Sequence, residues 1–173
     1  MGGVAGAILA AMHPGLIGRL VLEDPAWYPR EEDITAEEIL EHVQEWSAAI
    51  LQRQTLPASE LLENLRREHP DWDAEEFPAI VQAKQQVSPH VTQYDLATDD
   101  TPWWEIVPVL QCPVLLLTGD EEGQVAIAPA MEQEIGTLNP HIQIARIPGA
   151  GHNVRRDQFS TYLQLLTAFL QPS

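Results

Sequence analysis

The sequence predicts an α/β protein with a three-stranded parallel sheet, flanking helices and an inserted helical block. Three observations carry this expectation. Short apolar runs stand at 19–23 (RLVLE), 114–118 (VLLLT) and 142–147 (IQIARI), each the length of a buried strand and too short for a helix. Helical patterns separate them, and strands that alternate with helices pair in parallel through crossover connections. Between the first two runs lies a long stretch, 28–100, with helical periodicity and no strand pattern.

The elements follow in order. Residues 3–13 (GVAGAILAAMH) read as a helix of small residues, able to lie close against a sheet and ended by His13-Pro14-Gly15. The strand Arg19–Glu23 comes next, bounded by Gly18 and Pro25. Thr35 and Glu38 have capping-box spacing, and Ile39, Leu40, Val43, Trp46, Ile50 and Leu51 recur at helical intervals, predicting an amphipathic helix to about Gln54. Pro57 and Ser59 open a second helix that His69-Pro70 ends, and Asp73 with Glu76 begins a third that stops before Ser88-Pro89. Beyond the strand 114–118, Pro129–Leu138 reads as a helix and Ile142–Ile147 as a strand. Gln158–Leu170 closes the chain as a helix with Tyr162, Leu163, Leu166, Phe169 and Leu170 on one face. Three stretches result: 1–27 and 101–173 share the strand–helix character, and 28–100 is the insertion.

Composition narrows the function. A chain of 173 residues with 45% apolar content can bury a sizeable core. The formal net charge is −17, with eight arginines and the single lysine Lys84, which excludes nucleic acid and anionic membrane surfaces as primary partners. One cysteine, Cys112, excludes an internal disulfide, and its place before an apolar run marks a buried or strand-entry thiol. No run reaches the ~18 apolar residues of a membrane-spanning helix, and no basic segment precedes the N-terminal apolar stretch, so a cytoplasmic location is expected. No histidine pair has metal-ligand spacing, and neither metal nor cofactor is expected.

His152 is the sharpest chemical feature. It lies in the glycine-rich PGAGHN between the last strand and the last helix, where the carboxyl ends of the strands open a crevice for ligands. A loop histidine that merely caps the helix is the plainer alternative. Glu122, after the preceding strand, stands where its carboxylate could orient the His152 ring and stabilise its imidazolium; Asp120 and Glu121 compete for that role. Asp24, in LEDPAW, is a further acid at a strand end, more readily explained as a turn-former before Pro25. No serine suits a nucleophile: Ser47 and Ser59 lie in the insertion, Ser88 precedes a proline, Ser160 lies in the last helix and Ser173 is terminal.

These residues together resemble the C-terminal part of an α/β-hydrolase. Met1-Gly2-Gly3 is similar to the end of the G-H-S-M-G-G form of the nucleophile elbow, VLLLTGDEE resembles the strand and acid loop, and GAGHNVRR resembles the histidine loop. The resemblance covers essentially the whole chain. It implies a partial α/β-hydrolase fold with 28–100 as the helical cap, His152 as base and Glu122 as acid, three residues past Gly119. It places the nucleophile immediately before Met1: a serine in an esterase-like member, with an aspartate pointing instead to dehalogenation or epoxide opening. It also makes the Met1 backbone N–H one oxyanion donor, and the 173-residue chain alone is expected to be inactive. The intact protein would act on a small, fairly apolar ester, amide or C–C bond, with Trp27, Trp103 and Trp104 near its pocket. The rival expectation is a non-catalytic module whose exposed strand edge at 19–23 pairs in a homodimer or with an N-terminal fragment.

Overall fold

The three apolar runs become the three strands of one sheet in the computed structural model, which describes residues 2–27, 36–94 and 102–171. Two compact units form: Met1–Arg30 with Thr101–Ser173, and Glu31–Asp100. The first contains β1 (Leu20–Glu23), β2 (Val114–Gly119) and β3 (Gln143–Ile147), in the order β1-β2-β3. Both pairings are parallel, with Leu22 opposite Leu116 and Leu116 opposite Ile144. Every residue of β2 is buried. A central strand covered on both faces has no polar side to display, and its sequence is therefore continuously apolar rather than alternating.

Helix α1 (Gly2–Met12) packs on one face of this sheet, where Ala7 and Ala10 join Leu20, Leu22, Val114 and Leu116 in the core. Its glycines permit a close approach: a Cβ on Gly3 would lie 3.2 Å from the Pro25 Cβ. The start of α1 is thereby seated beside the carboxyl end of β1. The other face packs Leu115, Leu117 and Ile147 against Val154 and Phe169. Among the described residues β1 pairs only with β2, so its outer edge is unpaired.

The second unit holds α2 (Ala36–Thr55), α3 (Ala58–Glu68), α4 (Phe77–Gln86) and a 3-10 turn at Pro89–Tyr94. Leu61, Leu65, Trp72, Phe77 and Val81 form its core, and the His69 ring stacks on Trp72 with centroids 3.7 Å apart. Thr35 and the Glu38 side chain lie outside what the structure describes. The third helix starts later than the Asp73–Glu76 spacing predicts, because Asp73 Oδ1 accepts the Glu75 N–H within a turn and α4 opens at Phe77.

Other departures lie near the chain's ends of elements. A one-turn helix α5 (Trp103–Ile106) precedes β2, and α6 (Pro129–Leu138) follows it. The C-terminal segment splits at Gln158 into α7 (Val154–Asp157) and α8 (Phe159–Leu170). Phe169 is buried and Tyr162 and Leu165 pack beside it, whereas Leu163 and Leu170 are exposed, so the inward face is rotated from the expected one. No helix among the described residues is long and apolar enough to cross a membrane.

Candidate active site

The carboxyl ends of all three strands converge on one cluster of polar groups. At the end of β1, Asp24 takes a backbone φ of 36°, the only positive value of a non-glycine residue among those described. Aspartate tolerates this left-handed geometry better than most residues, but holding it costs on the order of 1 kcal/mol. Its hydrogen bonds provide the offset. The fully buried Asp24 carboxylate accepts from Thr118 Oγ1 at 2.8 Å, the Ala126 N–H at 2.8 Å and the Ile127 N–H at 3.1 Å. Its fourth partner is His152 Nδ1, 2.7 Å from Oδ2.

Three of these partners come from the end of β2 and the loop after it, and the fourth follows β3. Thr118 lies near the end of β2, and the loop after β2 contributes the two amides. Arg146 on β3 fastens that loop by donating to Gly119 O at 2.7 Å and Ile127 O at 3.2 Å, and pairs with Glu132 of α6 at 3.0 Å. The histidine segment follows β3 and is tied down as closely. Gly149 has φ 72°, which only glycine adopts without strain. Its N–H donates to Asp120 Oδ1 at 2.7 Å, and the Gly151 N–H donates to Asp157 Oδ2 at 2.9 Å.

Burial alone would push the Asp24 carboxyl upward, but the bonds from His152, Ala126, Thr118 and Ile127 outweigh it and hold its pKa below the usual 3.8. The same bond to Asp24 raises the His152 pKa above the usual 6.5, against partial burial. A raised histidine contributes stability below its unfolded pKa that is lost as pH rises through its folded value. A lowered carboxylate contributes above its unfolded pKa and is lost as pH falls through its folded value. The charged pair is therefore most stabilising between about pH 3.8 and 6.5. An NMR titration of the His152 ring should show a midpoint above 6.5 that falls in Asp24→Asn; an unmoved midpoint would show that Asp24 does not set it.

The structure thus joins His152 to Asp24 rather than to Glu122, whose side chain is exposed after β2. Asp120 is also engaged elsewhere, on the Gly149 amide. Asp24, at the positive φ that follows β1, brings its carboxylate within 2.7 Å of the ring. Trp27 and Trp103 are buried and stack in the core with centroids 6.0 Å apart, and the half-buried Trp104 meets Trp103 edge-on. Met1 lies outside the described residues. Burial raises the Cys112 thiol, which keeps it protonated and a poor nucleophile. Ser47 lies in α2, Ser59 in α3, Ser88 just before the 3-10 turn and Ser160 in α8, none of them at a strand-to-helix turn; Ser173 lies outside the described residues. Among the described residues no group of three or more His, Cys, Asp or Glu side chains could hold a metal ion.

Sequence reasoning did not single out Thr118, the Ala126 and Ile127 amides or Arg146. Thr118 carried a signal, since it is the one hydroxyl in an otherwise apolar strand. The amides carried none, because a backbone donor leaves no mark on residue type.

No protein-family model and no curated protein sequence matches the chain. Solved structures do. An E-2-(acetamidomethylene)succinate hydrolase superposes with a TM-score of 0.71 at 18% identity, over 98% of this chain and 63% of that one. An α/β-hydrolase enzyme from a Medee basin deep-sea metagenome gives 0.67 at 15% identity, covering 99% of this chain and 63% of its own. A thermophilic esterase from Thermogutta terrifontis gives 0.65 at 23% identity, covering 98% and 61%. The chain spans less than two thirds of the length of each. Over that span it has the α/β-hydrolase fold.

Proposed function

From this partial fold we propose that the chain is the C-terminal portion of a serine hydrolase, with His152 as general base and Asp24 as the acid that orients it. The observation that carries the reading is the 2.7 Å bond from a fully buried, four-fold hydrogen-bonded carboxylate to a half-exposed imidazole at the strand ends. Asp24 occupies Nδ1, so Nε2 is the nitrogen that exchanges a proton with the nucleophile. The start of α1 sits beside Pro25, the neighbour of Asp24, and a serine immediately before Met1 would enter the same corner.

In the intact protein the serine oxygen attacks the carbonyl carbon as His152 Nε2 takes its proton. The tetrahedral oxyanion is held by the Met1 backbone N–H together with a donor from upstream sequence. His152 then protonates the departing alcohol, and water repeats the sequence to release the acid. Asp24 remains ionised and stabilises each imidazolium. A small, fairly apolar ester is the substrate class, with an amide or C–C bond of similar size as variants of the same chemistry. Of Trp27, Trp103 and Trp104, only Trp104 is half-buried, the other two being closed in the core.

The unpaired edge of β1 favours a complement: a strand N-terminal to Met1, supplied by the intact chain or by a separate fragment, would pair there. A second copy of this chain is the other occupant of that edge. A fluorophosphonate probe is expected to label the protein extended through Gly-x-Ser and to leave the 173-residue chain unlabelled. Labelling of the shorter chain would overturn the assignment of the nucleophile.

A further inference from the structure

Two consecutive carboxylates at the end of β1 grip the same segment. Asp24 takes the His152 ring, while Glu23 Oε1 accepts the Arg155 N–H at 2.8 Å across 132 positions of sequence. Arg155 lies in the one-turn α7, whose first amides have no helical acceptor. The Asn153 carbonyl serves the next two, accepting from Arg156 at 2.8 Å and Asp157 at 2.9 Å. Glu23 serves Arg155. It is half-buried, on the face of β1 where Val21 packs against the cluster of Leu115, Leu117, Val154 and Phe169.

We propose that Glu23 is a positioning residue for His152, anchoring the backbone three residues beyond the histidine while its neighbour Asp24 holds the ring. The ties at Gly149, Ala150 and Gly151 hold the segment before the histidine, and Asp24 holds the ring, but neither fixes the backbone after it. Glu23 adds that anchor, so that adjacent residues of a strand held in register by the Leu22–Leu116 pairing fix both the ring and the backbone beyond it. The role depends on an acceptor oxygen at position 23 rather than on its charge. It rests on His152 being the base, yet it concerns a geometry that the 173-residue chain already contains.

Glu23→Ala and Glu23→Gln in that chain test it by amide hydrogen exchange at Arg155 and by the downfield ring N–H resonance of His152. In Glu23→Ala, exchange at Arg155 should rise about tenfold or more, and the ring resonance should broaden or vanish. Glutamine keeps an acceptor oxygen, so Glu23→Gln should restore both towards the parent. Unchanged exchange and ring resonance in the alanine variant would overturn the proposal, as would a glutamine variant that behaves like alanine. If Glu23→Ala does not fold, Glu23→Val, which also lacks the acceptor and suits a strand, takes its place with the same two outcomes, and altered values in Glu23→Gln still refute the proposal. Neither readout requires turnover, so a failure of the hydrolase reading would show in probe labelling and leave this result standing.

Discussion

Asp24→Asn is expected to lower kcat of the protein extended through its nucleophile by about 10⁴-fold, with KM little changed. The reason lies in how the two oxygens are used. Oδ1 accepts from Thr118 and Ile127, whereas Oδ2 accepts from Ala126 and His152. An asparagine can keep its oxygen in the first position, but its NH₂ then faces the Ala126 N–H and the imidazole. The ring must answer by accepting at Nδ1, which puts its proton on Nε2. A histidine in that tautomer could not take a proton from the proposed serine. The reverse orientation restores His152 only by turning the NH₂ towards the Thr118 hydroxyl and the Ile127 amide, leaving a buried donor unsatisfied at a cost of about 1–3 kcal/mol. Glu122→Gln, at an exposed position, should stay within about threefold of the parent. Steady-state kinetics on the two variants decide the matter; the opposite ranking would return the acid's role to Glu122.

Gly119→Ala is expected to destabilise the chain by about 3 kcal/mol, lowering the midpoint of thermal unfolding by roughly 6–12 °C. Gly119 does not need glycine for its backbone angles; it needs the space. A Cβ there would lie 1.8 Å from the Ala150 oxygen and 2.9 Å from the Gly151 oxygen, both backbone atoms of the histidine segment. A flexible side chain could move away, but this backbone cannot move alone. It accepts N–H bonds at Ala150 O from Asp120 and Glu121, and Gly151 donates to Asp157. The variant that survives should therefore carry a displaced His152, visible as a shifted ring resonance. Denaturant unfolding within about 0.5 kcal/mol of the parent would show that the histidine segment can shift away from the strand end at little cost. The two substitutions act on different sides of one junction: Asp24 bonds the ring, and Gly119 makes room for the segment that bears it.

Much of this architecture could be read from residue order. Apolar runs at 19–23, 114–118 and 142–147 gave away the strands, most completely at β2, which is buried at every residue and is therefore apolar almost throughout. The PGAGHN loop made His152 a candidate, because glycines beside a histidine let the backbone turn it towards the strand ends, although a helix-capping role had the same sequence signature. Helix α6 was equally legible, while α5, α7 and the break at Gln158 were not, since one-turn helices are shorter than the period that would announce them.

The choice of acid was a different kind of question. Glu122, Asp120 and Asp24 all stand at strand ends, and sequence offered only a spacing rule to separate them. Folding separates them by surroundings: Asp120 binds the Gly149 amide, Glu122 faces solvent, and Asp24 is buried under two amides, a hydroxyl and an imidazole. Local pattern determines which segments become strands and helices, because burial on a face imposes a period that neighbours along the chain must obey. Which carboxylate meets a histidine 128 residues away depends on a backbone angle at Asp24 and on donors drawn from another strand's loop. Those contacts are made only once the three strands lie side by side, and tertiary structure alone decided them.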